Sequence, residues 1–384
     1  MIKRILYTLL IMFPVLASAQ INTDRVMAIG RNALYFEDYV LSIQYFNQVI
    51  NAKPYLSDPY FYRGLAKINL DDFQGAESDC SEAIERNPFV VSAYQVRGLA
   101  RIQQNNFAGA IEDYTKALEF DPENIGVWHN MALCRIRQED YKGAKNDLDK
   151  LIAISPRYTK AYLMRGEVDL KQKDTLAAEK DFGKAIEIDR YDADTWASRA
   201  ILRLQQQRYK DAEADFDHAI RLSTRNSGVY INRALARYHQ NNLRGAMSDY
   251  DIALDIDPNN FIGHYNRGLL RAQVGDDNRA IQDFNFVIEM EPDNMMAIFN
   301  RGLLLDQTGD YKGAIKDYST VINEYPNFLL GYQYRAQARR KIGDVKGADA
   351  DEFKVLKAQL DKQNGVDPNK QTADNTENNK TRKK

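Results

Sequence analysis

Along the chain, apolar and polar positions repeat on two scales: the 3.6-residue spacing of amphipathic helices, and a longer period of 34 residues. The longer one is marked by Pro54, Pro88, Pro122 and Pro156 and continues in the same register at Pro258, Pro292 and Pro326. With Thr23 as position 1, ten units of 34 residues run without insertion to about Lys362. Position 8 is always tiny, as at Gly30, Gly98, Ala132 and Gly302, and position 20 is Ser42 followed by nine alanines from Ala76 to Ala348. Position 24 is bulky, as at Phe46, Tyr114, Phe182, Phe216, Tyr250, Phe284 and Tyr318. Small residues facing large ones predict two helices that cross closely and interdigitate. Between them, position 16 is Asp or Asn in nine of ten units, from Asp38 to Asp344, which predicts side-chain caps for the second helix. The proline at position 32 is expected to stop that helix, since it donates no hydrogen bond and its ring clashes with the preceding turn. Each unit therefore reads as a helical hairpin, and the fold class as all-α.

Position 4 adds aromatic residues, Tyr60, Tyr94, Trp128, Tyr162, Trp196, Tyr230 and Tyr332. Together with the small positions 8 and 20 and the closing proline, this pattern resembles the tetratricopeptide repeat (TPR) over about 340 of the 384 residues. The resemblance implies a right-handed superhelical solenoid of ten TPR helix-turn-helix repeats. It also implies a concave groove, lined by first helices, that binds peptides or protein surfaces. Departures are local: Cys80 and Leu148 replace the position 24 aromatic, Arg190 and Thr224 replace the closing proline, and Glu352 stands at position 24 of the last unit. A terminal repeat has no neighbour on one side, so unit ten is expected to present a polar outer face. Residues 363 to 384 show no apolar periodicity and read as a solvated, disordered polar tail.

Ahead of the array, Lys3 and Arg4 precede an apolar run from Ile5 to Ala17 and the small residues Ala17-Ser18-Ala19, which is the layout of a secretory signal cleaved after Ala19. The run is shorter than the ~20 apolar residues of a membrane span, and Pro14 interrupts it. The Ala-Gln junction is similar to those of Bacteroidetes export signals. The resulting expectation is a signal peptide over 1 to 19, an array over 20 to 362, and an exported protein in the periplasm of a Gram-negative bacterium, with the cell surface or medium as alternatives. Loss of the leader leaves 50 Lys+Arg against 54 Asp+Glu, a mildly acidic balance. That disfavours nucleic acid and anionic membranes as partners.

Two charged positions recur: Arg at position 7 in eight units and Asp at position 23 in nine, from Asp79 to Asp351. The expected arrangement is a ladder in which each Asp meets the Arg of the following first helix, Asp79 with Arg97 for example. An anion-binding row is the alternative reading. Cys80 and Cys134 lie two units apart, too far for a disulfide, and read as packing residues. The four histidines, His129, His218, His239 and His264, scatter over different units, whereas a metal needs converging ligands. No phosphate-binding loop, nucleophile elbow or His-Glu-x-x-His motif occurs, so neither cofactor nor catalysis is expected.

Positions 2, 5, 9, 12 and 13 share one stripe of the first helix, and in the tetratricopeptide resemblance that stripe lines the groove. Candidate partner-binding residues are Phe61, His129, Ile231, Tyr265 and Phe299 at position 5, and Leu65, Leu99, Leu133, Leu235, Leu269 and Leu303 at position 9. Aromatic groups dominate binding hot spots, so Phe61, Tyr265 and Phe299 are the expected anchors. The alternative for the position 9 leucines is plain packing between first helices. The asparagine-and-cation clamp with which some relatives hold a carboxylate tail is not matched, because position 9 is mostly Leu. The expected function is a non-catalytic scaffold for a protein or extended peptide in a cell-envelope or secretion assembly. A self-associating envelope protein is the alternative.

Overall fold

The computed structural model describes residues 22–223 and 225–363. Gln363, assigned to the tail, instead ends the last helix; the signal-peptide assignment, the tail assignment from residue 364 on, and Thr224 fall outside the described residues. Among these residues there are twenty helices and no strand. They form two compact units divided between Arg190 and Tyr191. The first holds α1 (Thr23–Tyr35), α2 (Tyr39–Ala52), α3 (Asp58–Ile68), α4 (Phe73–Arg86), α5 (Val91–Gln103), α6 (Phe107–Phe120), α7 (Ile125–Arg137), α8 (Tyr141–Ile154), α9 (Thr159–Lys171) and α10 (Thr175–Ile188). The second holds α11 (Ala193–Gln205), α12 (Tyr209–Leu222), α13 (Ser227–His239), α14 (Leu243–Ile256), α15 (Phe261–Gln273), α16 (Asp277–Met290), α17 (Met295–Thr308), α18 (Tyr311–Glu324), α19 (Leu329–Lys341) and α20 (Val345–Gln363). Each odd-numbered helix packs on the even-numbered helix that follows, five hairpins to a unit.

The small and large positions meet as their pattern requires. A Cβ added to Gly98 would lie 2.8 Å from the Tyr114 ring, and one on Gly302 would lie 2.9 Å from the Tyr318 ring. The aromatic side chain thus takes the space that glycine leaves. Caps also form where expected: the Asp38, Asp72, Asn106, Asp140, Asp174, Asn242, Asp310 and Asp344 side chains each accept a backbone N–H of the second helix's first turn. Asp276 occupies the cap position without such a bond. At position 4 the polar tip closes the preceding turn, since Trp128 Nε1 donates to the Pro122 carbonyl at 2.8 Å and the Tyr162 hydroxyl donates to that of Pro156 at 3.1 Å.

Three details differ from the sequence reading. First, the ladder runs inside each hairpin rather than between neighbours. Arg63 donates through Nε and Nη2 to Asp79, and Arg97 to Asp113, with the same pairing at Arg165–Asp181, Arg199–Asp215, Arg233–Asp249, Arg267–Asp283, Arg301–Asp317 and Arg335–Asp351. In seven of these eight, all but Arg199, the remaining nitrogen, Nη1, reaches back to the previous second helix of the same unit. Arg97 Nη1 donates to Ser81 Oγ at 3.1 Å and Arg165 Nη1 to Asp149 at 2.6 Å, so the guanidinium joins three helices. Second, α10 and α12 end at Ile188 and Leu222, the same position as α2 at Ala52, although Arg190 and Thr224 replace the proline. Proline at position 32 is therefore compatible with the turn but is not what ends the helix. Third, the exposed surface of the last helix is not wholly polar. Phe353, Leu356 and Leu360 lie exposed on α20, at the i, i+3, i+7 spacing of one stripe.

Candidate protein-interaction face

First helices of successive hairpins approach one another at α1–α3 and α3–α5 in the first unit, and at α11–α13, α15–α17 and α17–α19 in the second. Odd-numbered helices therefore share one face of each unit, the face on which the position 2, 5 and 9 stripe lies.

The polar groups behind that face are already occupied. The nine position 23 aspartates are buried, and most receive a second cation from position 11. Arg101 reaches Asp113 at 3.1 Å, Arg237 reaches Asp249 at 2.8 Å, and Arg271 reaches Asp283 at 2.7 Å. In the fifth hairpin position 11 is itself a buried acid, Asp169, and Lys145 of the preceding second helix pairs with it at 2.5 Å. The same two positions are Arg101 and Glu77 two hairpins earlier, so the pair recurs with its charges exchanged. Sequence reasoning missed this row, although Arg at position 11 recurs visibly. With each guanidinium of these two rows committed to a carboxylate, the arrangement is that of an internal ladder rather than an anion-binding row. Position 7 arginines also lie over position 4 rings, Arg199 at 5.1 Å from Trp196 and Arg63 at 5.5 Å from Tyr60.

The candidate partner-binding residues separate by exposure. Leu99 and Leu269 are exposed, while Phe61, Leu65, His129, Leu133, Leu235, Tyr265 and Leu303 are half-buried. Ile231 and Phe299 are buried. The Phe299 ring packs against Tyr318, Phe328 and Tyr334 at centroid distances of 5.1 to 5.8 Å, so it supports the core under the face rather than standing open on it. Tyr265 accepts a hydrogen bond from Asn300 Nδ2 at 3.1 Å, which ties neighbouring first helices, and burial raises its phenol above the usual range. His129 Nδ1 lies 3.3 Å from the Tyr158 hydroxyl, and burial, with Lys160 nearby, lowers its imidazole below the ordinary range.

Residues the sequence reading passed over are the most exposed large apolar groups at positions 2, 5 and 9. Ile262, Met296 and Leu330 occupy position 2 of α15, α17 and α19, and are 51%, 59% and 44% exposed. Next to Met296, the residues Met295, Phe299, Val321, Tyr325 and Phe328 line a hollow of about 300 Å³. At the other end of the chain, Asp24, Arg31 and Asp58 line a hollow of about 420 Å³ with Met27 and Leu56, and position 2 is acidic there. Tabulating position 2 across the ten units would have shown this contrast.

The thiols and remaining histidines are packing groups. Cys80 and Cys134 are free and buried, and burial pushes their thiols up to about 12 and about 11. His218 stacks on Trp196 at 4.2 Å and His239 on Tyr209 at 4.6 Å. His264 Nδ1 lies 2.9 Å from Asp283. Among the described residues no three His, Cys, Asp or Glu side chains are grouped to hold a metal ion, and no helix is long and apolar enough to cross a membrane.

Comparison with known proteins agrees with this geometry. Family models described as TPR repeat and tetratricopeptide repeat match residues 98–134, 125–158, 159–192, 198–261 and 265–327, together more than half of the chain. Comparison with curated proteins returns no match. Among solved structures, a tetratricopeptide repeat protein from Parabacteroides merdae is 21% identical with a TM-score of 0.50, covering 65% of this chain and 98% of its own. Pseudomonas aeruginosa pilF is 19% identical with a TM-score of 0.48, covering 56% and 97%. Yeast Tom70 is 15% identical with a TM-score of 0.40, covering 86% and 91%. With ten hairpins in one register and these models spanning both compact units, the chain belongs to the tetratricopeptide-repeat family.

Proposed function

We propose that this chain is an exported, non-catalytic scaffold that holds segments of other proteins on the first-helix faces of its two units, within a cell-envelope or secretion assembly. The observation that carries the reading is the apolar stripe at positions 2, 5 and 9, which hairpin packing leaves partly uncovered while the charged groups beneath it are satisfied internally. Such a face offers area and shape for an extended partner, and no activated nucleophile or acid–base pair lies in it. The basic start, apolar run and Ala17-Ser18-Ala19 support export.

Photo-crosslinking tests the face. A benzophenone amino acid at Leu99 or Leu269 should crosslink to a partner protein in the producing cells, and one at Lys150, exposed on α8, should not. Equal crosslinking from all three positions would contradict the reading. Intact-mass measurement of the protein isolated from the envelope tests export: a chain beginning at Gln20 is expected, and retention of residues 1 to 19 would overturn it.

A second reading, self-association, is favoured by one specific observation. The exposed Phe353, Leu356 and Leu360 stripe on α20 has the apolar character of a surface that another hairpin covers elsewhere in the array.

A further inference from the structure

Position 2 of the first helix sets the last three hairpins apart. In the first seven it is Asp24, Asp58, Ser92, Gly126, Lys160, Asp194 and Gly228, all polar or without a side chain. In the last three it is Ile262, Met296 and Leu330, and these side chains are exposed. The hairpin fold does not require them, since seven hairpins form without a large apolar group there. They stand on neighbouring helices of one face, beside the apolar hollow under Met296.

The charges around this patch are one-sided. The turns leading into the three helices, residues 256–262, 290–296 and 324–330, contain Asp257, Glu291, Asp293 and Glu324 and neither Lys nor Arg. Asp293 itself lines the hollow. Asp257 and Glu291 accept hydrogen bonds from the neutral side chains of Asn260 and Asn294. Among the described residues none of the four carboxylates is in an ion pair, whereas each buried position 23 aspartate has at least one cation. The negative field at the rim is left for something outside the fold to neutralise.

We propose that the first-helix face of hairpins eight to ten docks an extended protein segment in which large apolar side chains are flanked by lysine or arginine. The apolar groups seat against Ile262, Met296 and Leu330 and into the hollow, and the flanking cations meet Asp257, Glu291, Asp293 and Glu324. A segment with acidic flanks is repelled by the same rim. The inference rests on the scaffold reading above and adds to it the place on the array and the chemistry of the partner.

The test is an array of synthetic peptides of about twelve residues, each with two large apolar residues flanked by Lys and Arg, by Gln, or by Glu, probed with the fluorescently labelled full chain. Retention of the basic series at least about tenfold above the acidic one is expected, with the margin shrinking between about 0.05 and 0.5 M salt as screening shortens the rim's reach. Replacing the two apolar residues of a peptide with alanine should abolish its retention. Met296→Asp should lower retention of the basic series at least about tenfold, with Met296→Gln as a milder second variant and circular dichroism melts to confirm that both fold. Asp293→Asn combined with Glu291→Gln should narrow the preference for basic over Gln-flanked peptides, and Lys150→Ala on α8, away from the first helices, should leave retention unchanged. Preference for acidic flanks would overturn the proposed chemistry. Binding that survives Met296→Asp and is lost with Leu99→Asp would overturn the placement while leaving the scaffold reading intact. Retention of no peptide of any composition would overturn both.

Discussion

A carboxylate buried among helices is costly unless cations meet it, and this chain buries one at position 23 of nine successive hairpins. Two arginines per aspartate, at positions 7 and 11, are the usual solution. Asp181 and Asp317 keep only the position 7 arginine, and Asp147 alone lacks it, because Met131 stands there and Arg135 of position 11 reaches the carboxylate at 2.7 Å. Burial pushes its carboxyl up to about 6, above the ordinary 3.8. The folded state thus binds this proton more tightly than the unfolded state. The stability Asp147 contributes is complete below 3.8 and is lost as pH rises through about 6. Met131→Arg, which supplies the missing cation, should lower the Asp147 pKa in a carboxyl NMR titration and reduce the fall in urea midpoint across that interval; an unmoved titration would contradict the account. A second residue-scale prediction concerns Tyr318, whose hydroxyl is buried without a hydrogen-bond partner while Phe182, Phe216 and Phe284 fill the same position elsewhere. Tyr318→Phe should raise unfolding free energy by about 1 kcal/mol, because an unsatisfied buried hydroxyl costs that much or more. A loss of stability in denaturant melts would show that the hydroxyl is satisfied. At this scale the sequence disclosed the charge pair but not its geometry. Asp79 follows Arg63 by 16 residues and precedes Arg97 by 18, so periodicity alone cannot choose between them; the crossing of two helices within a hairpin does.

Within each hairpin, the residue between the two helices carries the turn. Position 15 adopts a left-handed backbone throughout, with φ of 58° to 64° at Glu37, Asp71, Asn105, Glu139, Lys173, Gln207 and Asn241, and 81° to 94° at Gly275, Gly309 and Gly343. Left-handed backbone costs an ordinary side chain more than it costs glycine. Lys173→Gly should therefore stabilise the chain by about 0.5 kcal/mol, and Gly309→Ala should destabilise it by about 1 kcal/mol, both read from urea melts. The opposite signs would mean that the turn relaxes to another conformation. Helix positions were legible because caps and small-to-large contacts fall on fixed residues whose chemistry admits few substitutes, as at Asp72 or Gly98. The candidate face was legible only in outline. Its stripe follows from helical geometry, but a surface position such as Met296 is free to vary from repeat to repeat and leaves no period to detect. Phe299 shows the converse: it sits on the right stripe, yet the aromatic residues Tyr318, Phe328 and Tyr334 close over it, which spacing along one helix does not reveal.

For the whole molecule, ten hairpins leave first helices aligned on one face of each unit and an apolar stripe on the last helix. If that stripe mates with another copy, light scattering should give a mass that rises with concentration for the wild type and stays at the monomer value for Phe353→Asp. A concentration-independent monomer in both would remove the self-association reading. The central claim, that partners are held on first helices, is tested most directly by amide hydrogen exchange of the full chain with and without a retained basic-flanked peptide. Added protection concentrated in the odd-numbered helices, strongest in α15, α17 and α19, is the predicted result. Protection confined to the even-numbered helices would contradict it.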